Sequence, residues 1–202
     1  MLPTVVGLLR ELGVQTEWAV IESDRPEFFA FTKRLHNMIH GVEGPPLEPS
    51  DHALYDAVSA ENAESLLRLI SRNDILAIHD PQPLGAGAIV QRELGIPAIW
   101  RCHIGLDEHT PATRAAWRFL EPYTAGYDRA VFSAEAYVPD FLAGGSTMIH
   151  PAVDPLDHKN RDLSLHKLVG ILCDAALCVA HWPLITPPFP ELAHRLQVDG
   201  TF

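Results

Sequence analysis

Residues 74–105 read DILAIHDPQPLGAGAIVQRELGIPAIWRCHIG, and they determine the architecture of this 202-residue chain. Short apolar runs at 74–79 and 97–102 have the composition of buried strands. The stretch 84–94 between them has a helical pattern, and Gly95-Ile96-Pro97 is typical of a helix end followed by a strand start. The sequence therefore predicts a βαβ unit.

Polar residues follow both predicted strands. His79, Asp80 and Gln82 come at the end of the first strand, and Arg101 and His103 come at the end of the second. Ligands of βαβ units bind outside the carboxyl ends of the parallel strands. We therefore expect these side chains to converge on one crevice.

The rest of the chain continues the alternation of strands and helices. Helices are predicted at 3–12, 26–39, 50–71 and 111–123, and further strands at Thr16–Glu22 and Arg129–Ser133. Such alternation indicates an α/β fold, a doubly wound, Rossmann-like parallel sheet with helices on both faces.

Composition narrows the class of protein. Hydrophobic residues make up 47% of the chain, and 26 acidic against 15 basic residues give a formal net charge of −11. This charge argues against non-specific nucleic-acid binding, which needs a positive surface. The sequence has neither a membrane-spanning apolar stretch nor a signal peptide, so we expect a cytoplasmic protein without a membrane partner. The three cysteines form no CxxC pair and predict reduced, buried thiols.

Several motifs in order resemble one enzyme family. Residues 78–83 and 100–104 are similar to the trehalose synthase group of retaining glycosyltransferases (glycosyltransferase family 4). Further motifs that carry the resemblance are 18–22, 27–29, 32–37, 151–155 and Lys159-Asn160. The resemblance runs from about Leu2 to Asn160, and we expect it to continue to the C-terminus.

The resemblance implies a fold and a reaction. Members of this family have two Rossmann-like domains (the GT-B fold) and move glucose from an NDP-glucose to free glucose. Residues 1–160 then correspond to the N-terminal, acceptor-side domain, and 161–202 to a helical, Pro-rich segment leading towards a donor-binding domain. The first strand and glycine-rich loop of that architecture are expected to be missing. No cofactor or metal is expected, and the substrates are a sugar and a nucleotide sugar.

His103 and Asp80 are the candidate catalytic residues. The spacing of the motifs is equally compatible with a His103 that hydrogen-bonds a sugar or phosphate and with one satisfied in the core. The resemblance favours the first, because the matching histidine of the family lies against the transferred glucose. A carboxylate at Asp80 suits recognition of sugar hydroxyls, and it equally suits capping of the helix at 84–94.

Other polar residues are candidates for substrate binding. Gln82 is an alternative cap or a hydroxyl ligand, and Arg101 suits a phosphate or a structural ion pair. His79 is expected to pack behind the site. In the family, the region of Glu22, Lys33, His36 and Asn37 lines the acceptor pocket; a solvated helix face is the alternative for Lys33.

Two functions stay open at this stage. The first is a glycosyltransferase domain whose turnover needs further parts, and the second is a non-catalytic remnant that binds sugars or partners. An α/β sensor domain is the alternative outside the enzyme class. Such a domain is expected to carry clustered acidic residues near the strand ends and a lysine, and Asp80 alone meets this expectation only in part. A sheet without its first strand exposes an edge and part of an apolar face, so we also expect self-association into a homo-oligomer.

Overall fold

The structure is a computed structural model, and it describes residues 2–152, 160, 162–175 and 177. The chain divides into two compact units, Met1–Pro151 and Ala152–Phe202. The motifs at Asp154-Pro155 and 186–190 lie outside the described residues.

The first unit contains five helices and four strands among its described residues. The helices are α1 (Leu2–Glu11), α2 (Pro26–Ile39), α3 (Pro49–Leu67), α4 (Leu84–Leu94) and α5 (Pro111–Thr124), and the strands are β1 (Leu76–His79), β2 (Ala98–Cys102), β3 (Arg129–Phe132) and β4 (Ser146–Met148). Two short 3-10 turns, Glu135–Tyr137 and Asp140–Leu142, connect β3 to β4. In the second unit, α6 spans Leu165–Asp174.

All four strands are parallel, and they lie side by side in the order β1-β2-β3-β4. The register places Ile78 beside Trp100 and His79 beside Arg101. The α/β class and the Rossmann-like parallel sheet that the sequence predicts are confirmed. The βαβ unit β1-α4-β2 agrees with its predicted bounds to within two residues at each strand.

Helices α4 and α5 cover the same face of the sheet. Trp117 of α5 packs edge-on against Trp100 of β2 and Phe132 of β3, with ring centres 6.4 and 6.2 Å away. In a sheet whose strand order runs in one direction, right-handed crossovers put successive helices on one side. On the opposite face Ala77 is exposed and Ile99 is half-buried, so part of that face is open to solvent. The described elements thus supply one of the two expected helical layers.

The core lies between the covered face of the sheet and the helices. Helix α3 packs on α4 and α2 packs on α5. An aromatic cluster fills the space between α2, α3 and α5, where Tyr55 contacts Phe28, Phe31, Phe119 and Tyr123. Phe28 and Phe31 are therefore core residues, whereas Phe29 is 46% exposed.

Tyr55 also ties α3 to the loop that carries the candidate site. Its hydroxyl donates to the carbonyl of Pro81 at 2.6 Å and accepts the N–H of Gly85 at 3.1 Å. The start of α4 has no side-chain cap from its own N-cap residue, Pro83, so a buried tyrosine from another helix satisfies a free N–H there. Burial raises the pKa of Tyr55, which keeps the hydroxyl protonated.

The predicted strand Thr16–Glu22 is wrong. Residues 14–23 form no regular element, and Trp18 and Val20 are exposed. The alternating apolar pattern is present, but a strand exists only where a neighbour pairs with it. Here the side-chain amide of Asn62 on α3 makes the hydrogen bonds that a neighbouring strand would make. It donates to the carbonyl of Glu22 at 2.8 Å and accepts the N–H of the same residue at 2.9 Å.

Candidate functional site

The candidate site lies at the carboxyl ends of β1 and β2. His79 ends β1, Arg101 and Cys102 end β2, and Asp80 and His103 follow directly. The alternation along β1 and β2 places His79 and Arg101 on the sheet face opposite α4 and α5. His79, Asp80, Arg101 and His103 therefore lie near one another at this edge of the sheet.

Asp80 connects the ends of β1 and β2 at the place where the sequence predicts a crevice. Its backbone has φ +65°, the left-handed conformation that L-residues other than Asn and Asp seldom adopt. Its N–H donates to the carbonyl of Arg101 at 2.8 Å, and its carbonyl accepts the indole N–H of Trp100 at 3.0 Å. Its carboxylate Oδ1 accepts the backbone N–H of His103 at 3.1 Å. The carboxylate is thus directed to β2, and the capping of α4 that the sequence left open is not observed for Asp80.

The two histidines of the crevice contact each other. Nδ1 of His79 lies 3.1 Å from Nε2 of His103, a hydrogen-bonding distance. His79 is half-buried, whereas His103 is exposed. An exposed imidazole with a hydrogen-bonded partner behind it can contact a ligand in the crevice.

Arg101 is held by neutral groups. Its Nη2 donates to the carbonyl of Ile149 at 2.8 Å and to the hydroxyl of Ser133 at 3.2 Å. Among the residues that the structure describes, Arg101 has no ion-pair partner, and its Nη1 is buried without a hydrogen bond. The positive charge is therefore not neutralised by a described carboxylate, which favours an anion-binding role over the structural ion pair.

The electrostatics of the crevice favour neutral histidines. Desolvation by burial lowers the pKa of His79, and the neighbouring His103 lowers it further. Burial likewise lowers the pKa of His103, and Asp80 acts in the opposite direction. The lowered pKa values favour the uncharged imidazole at neutral pH, in which each ring carries one donor and one acceptor nitrogen.

Helix α2 contributes a second group of predicted residues. Lys33 is exposed, and His36 and Asn37 are half-buried on the same helix. Burial lowers the pKa of His36, and His40, Lys33 and Asp80 also act on it. His36 is therefore close enough to Asp80 to feel its charge. Within this group, His36 is thus the residue on which Asp80 acts, and Lys33 is exposed.

Glu22 lies in a different place. It lines an open depression together with Asp24, Phe29 and Glu61, and none of the crevice residues at the strand ends contributes to it. Asn62, which holds the backbone of Glu22, was not singled out from the sequence because an asparagine inside a helix carries no pattern of its own. Gln82 is half-buried two positions after Asp80.

Three observations limit what the described region can do. No group of three or more His, Cys, Asp or Glu residues is arranged to hold a metal within it. Cys102 is buried, and burial raises the pKa of its thiol to about 12, so it is an inert core residue. None of the helices in the described ranges is long and apolar enough to span a bilayer.

Comparison with known proteins identifies the family of this fold and site. The family described as "Trehalose synthase, N-terminal domain" matches residues 1–139. The proteins named trehalose synthase of Pyrococcus horikoshii and Rubrobacter xylanophilus are 36% identical over 173 residues and 39% identical over 171 residues. The matches cover 85% and 81% of this chain but 40% and 39% of those proteins. The trehalose synthase of Thermococcus litoralis is 36% identical over 173 residues, 85% of this chain and 40% of its own length. The chain therefore belongs to the family of trehalose synthase N-terminal domains.

Proposed function

We propose that this chain is the acceptor-side part of a retaining glycosyltransferase. The reaction transfers glucose from an NDP-glucose to the anomeric hydroxyl of glucose and gives α,α-trehalose and NDP. Relatives named trehalose synthase support the assignment, since they are 36–39% identical to most of the chain. The chain spans about two fifths of their length, so the donor-side contacts are expected from parts that it does not contain.

The reaction requires that both sugars are positioned and that the developing charges are stabilised. The bond between the anomeric carbon and the diphosphate breaks, a bond from that carbon to the acceptor oxygen forms, and the acceptor proton passes to the departing phosphate. Retention requires that the acceptor attacks from the face that NDP leaves. Catalysis then depends on holding both sugars in place and on stabilising the developing charges.

His103 and Asp80 are the proposed catalytic pair. A neutral imidazole at His103 can hydrogen-bond the hydroxyls of the transferred glucose or a phosphate oxygen. The carboxylate of Asp80 accepts the backbone N–H of His103 through Oδ1, and its remaining lone pairs can accept from sugar hydroxyls. The single observation that carries the proposal is this Asp80–His103 contact at the carboxyl ends of β1 and β2, in a chain of this family.

The remaining candidates are assigned to substrate binding. Arg101 has a guanidinium without a described carboxylate partner and suits an anionic oxygen of the donor. Gln82 follows Asp80 by two positions in the sequence, and the charge of Asp80 acts on His36. Both side chains suit hydrogen bonds to acceptor hydroxyls. Lys33, Asn37 and Glu22 are assigned to the outer part of the acceptor pocket.

The test is a titration of the isotopically labelled chain with glucose and with trehalose, followed by NMR. We expect saturable shifts of the backbone amides of residues 79–82 and 101–104. His103→Ala and Asp80→Asn are expected to weaken binding by about three- to tenfold each, the effect of one hydrogen bond. His166→Ala, which changes an exposed histidine on α6, is the matched control and should bind as the unaltered chain does.

Three outcomes are distinguishable. Loss of binding in the two crevice variants alone supports the proposed acceptor site. Equal binding by all variants places any sugar site elsewhere and contradicts the roles of His103 and Asp80. A folded chain that binds neither sugar contradicts an independent acceptor site and favours the non-catalytic alternative.

A further inference from the structure

His79 has no role in the proposed reaction, yet its contact with His103 has a well-defined geometry. The two nitrogens are 3.1 Å apart, the ring centres are 5.4 Å apart and the ring planes differ by 16°. The centre-to-centre distance nearly equals the N···N distance plus the radius of each five-membered ring. The two nitrogens therefore lie almost on the line that joins the ring centres. The rings meet edge to edge in nearly one plane, which is the alignment of an N–H···N hydrogen bond.

Such a bond links the proton positions of both rings. One of the two facing nitrogens carries the proton and the other offers its lone pair. If both rings were protonated, two N–H groups would face each other and the bond would be lost. Whichever ring donates, Nε2 of His103 is engaged with His79, and Nδ1 is the nitrogen that His103 has left for another partner.

The surrounding contacts hold this arrangement. His79 is fixed at the end of β1, in register with Arg101 on β2. The backbone of His103 is fixed separately, by its N–H bond to Oδ1 of Asp80 at 3.1 Å. Only the side chain of His103 then needs orienting, and among the described residues the ring of His79 is the group that contacts it by a hydrogen bond.

We propose that His79 is a positioning residue, which orients the ring of His103 through the Nδ1···Nε2 hydrogen bond and so presents Nδ1 of His103 to the sugar substrate. The proposal rests on the assignment of His103 to the substrate site. It adds that the tautomer of His103 is set by a second imidazole and not by a carboxylate.

The charges that face the pair are compatible with this role. Asp80 after β1 and Arg101 on β2 act on both imidazoles, and His103 also acts on His79. Asp80 acts in addition on His36 of α2 and on Cys102. Burial lowers the pKa of both histidines. The pair is therefore neutral at neutral pH, the state in which one shared N–H can be kept.

The first test does not depend on activity or on sugar binding. Imidazole nitrogen NMR of the histidine-labelled 202-residue chain distinguishes protonated from unprotonated ring nitrogens. At neutral pH we expect one protonated and one unprotonated nitrogen for the facing pair, and linked titration of the two rings. Independent titration of His79 and His103, without one protonated and one unprotonated nitrogen in the facing pair, would overturn the proposal.

Two variants then test the position of the hydrogen-bonding group. The side-chain amide of His79→Asn reaches approximately the place of Nδ1, whereas that of His79→Gln reaches approximately the place of Nε2. We expect His79→Asn to keep the tautomer of His103 and to bind glucose within about threefold of the unaltered chain. His79→Gln should release the tautomer and weaken binding by about three- to tenfold.

The outcomes separate the two proposals. Equal behaviour of His79→Asn and His79→Gln, in both the nitrogen spectra and the sugar titration, contradicts a positioning role. Absence of glucose binding in the unaltered chain contradicts the proposed function, and the nitrogen spectra still decide whether His79 sets the tautomer of His103. Amide spectra of each variant show whether the chain remains folded.

Discussion

Asp80 combines an unfavourable backbone conformation with three hydrogen bonds. Left-handed φ values cost L-residues about 1–2 kcal/mol, and Asp and Asn tolerate them best. At Asp80 the bonds to Arg101, Trp100 and His103 offset that cost. Strain of this kind persists only where the surroundings over-determine it, and it is frequent at functional sites.

Substitutions of Asp80 separate the backbone from the carboxylate. Asp80→Asn keeps the side-chain acceptor and should change the free energy of unfolding least. Asp80→Gly and Asp80→Ala both lose the acceptor, but alanine also retains the steric cost of φ +65°. We therefore expect Asp80→Ala to be less stable than Asp80→Gly by about 1 kcal/mol in urea unfolding. Equal stability of the glycine and alanine variants would contradict a strained backbone at this position.

The two glycines inside α4 allow its close packing. A Cβ at Gly85 would lie 2.5 Å from the hydroxyl oxygen of Ser59 on α3. A Cβ at Gly87 would overlap the side chain of Ile78 on β1 and the hydroxyl of Tyr127. Helix α4 therefore contacts both the sheet and α3 through positions without side chains, and this brings the start of α4 against the loop at Asp80.

Gly87→Ala is expected to destabilise the fold by about 1–3 kcal/mol, because a methyl group would be forced into a filled contact. Gly7→Ala on α1 is the matched control, since Gly7 is exposed and a Cβ there meets nothing within 4 Å. That variant should gain up to about 1 kcal/mol from helix propensity alone. The two free energies of unfolding are compared by chemical denaturation. Similar values for both variants would show that α4 has room at Gly87.

The elements that the sequence predicts well are those with a strong local signal. Pro26, the apolar stripe of α2 and the Gly95 stop of α4 predict their helices almost to the residue. Thr16–Glu22 has an alternating pattern without a pairing neighbour, and β4 is three residues long and pairs with β3 through distant contacts. Local pattern carries no information on pairing partners, and so one strand is wrongly predicted and another is missed.

The candidate site shows the same difference between what a local pattern predicts and what depends on distant contacts. The meeting of His79, Asp80, Arg101 and His103 is predictable, because parallel strands bring their carboxyl ends to one edge. The hydrogen bond between the two imidazoles and the indole bond of Trp100 depend on register and on side-chain rotamers. Neither is encoded in spacing along the chain, so these contacts appear only in three dimensions.

The stability of the molecule should depend on pH through three histidines whose pKa values are lowered in the folded chain. The pKa values of His36, His79 and His103 lie below the ordinary value of 6.5 in the folded chain. Between those lowered values and 6.5 the unfolded chain binds more protons than the folded chain, so the free energy of unfolding rises with pH. We expect stability to be constant above about pH 7 and to fall as the pH decreases through this window.

His79→Asn tests whether His79 contributes to this pH dependence of stability. As the pH falls, this imidazole binds a proton in the unfolded chain before it does so in the folded chain. Without it, the urea midpoint should depend less steeply on pH below 6.5. His166→Asn, which replaces an exposed histidine on α6, is the matched control. The same slope in His79→Asn and the unaltered chain would contradict the assignment.

The uncovered side of the sheet predicts how whole molecules associate. Ile75 is 70% exposed and Ile149 is 56% exposed at the two ends of this side, and β1 and β4 are edge strands of the described sheet. Apolar surface next to unpaired edges favours association between copies, so we expect concentration-dependent self-association.

Combined Ile75→Lys and Ile149→Lys should lower the average mass measured by light scattering, because lysines repel and solvate this side. Leu69→Lys changes a side chain that is 74% exposed outside the sheet and is the matched control. A monomeric mass for the unaltered chain at high concentration, or an equal decrease in the control, would show that the open side of the sheet does not drive association.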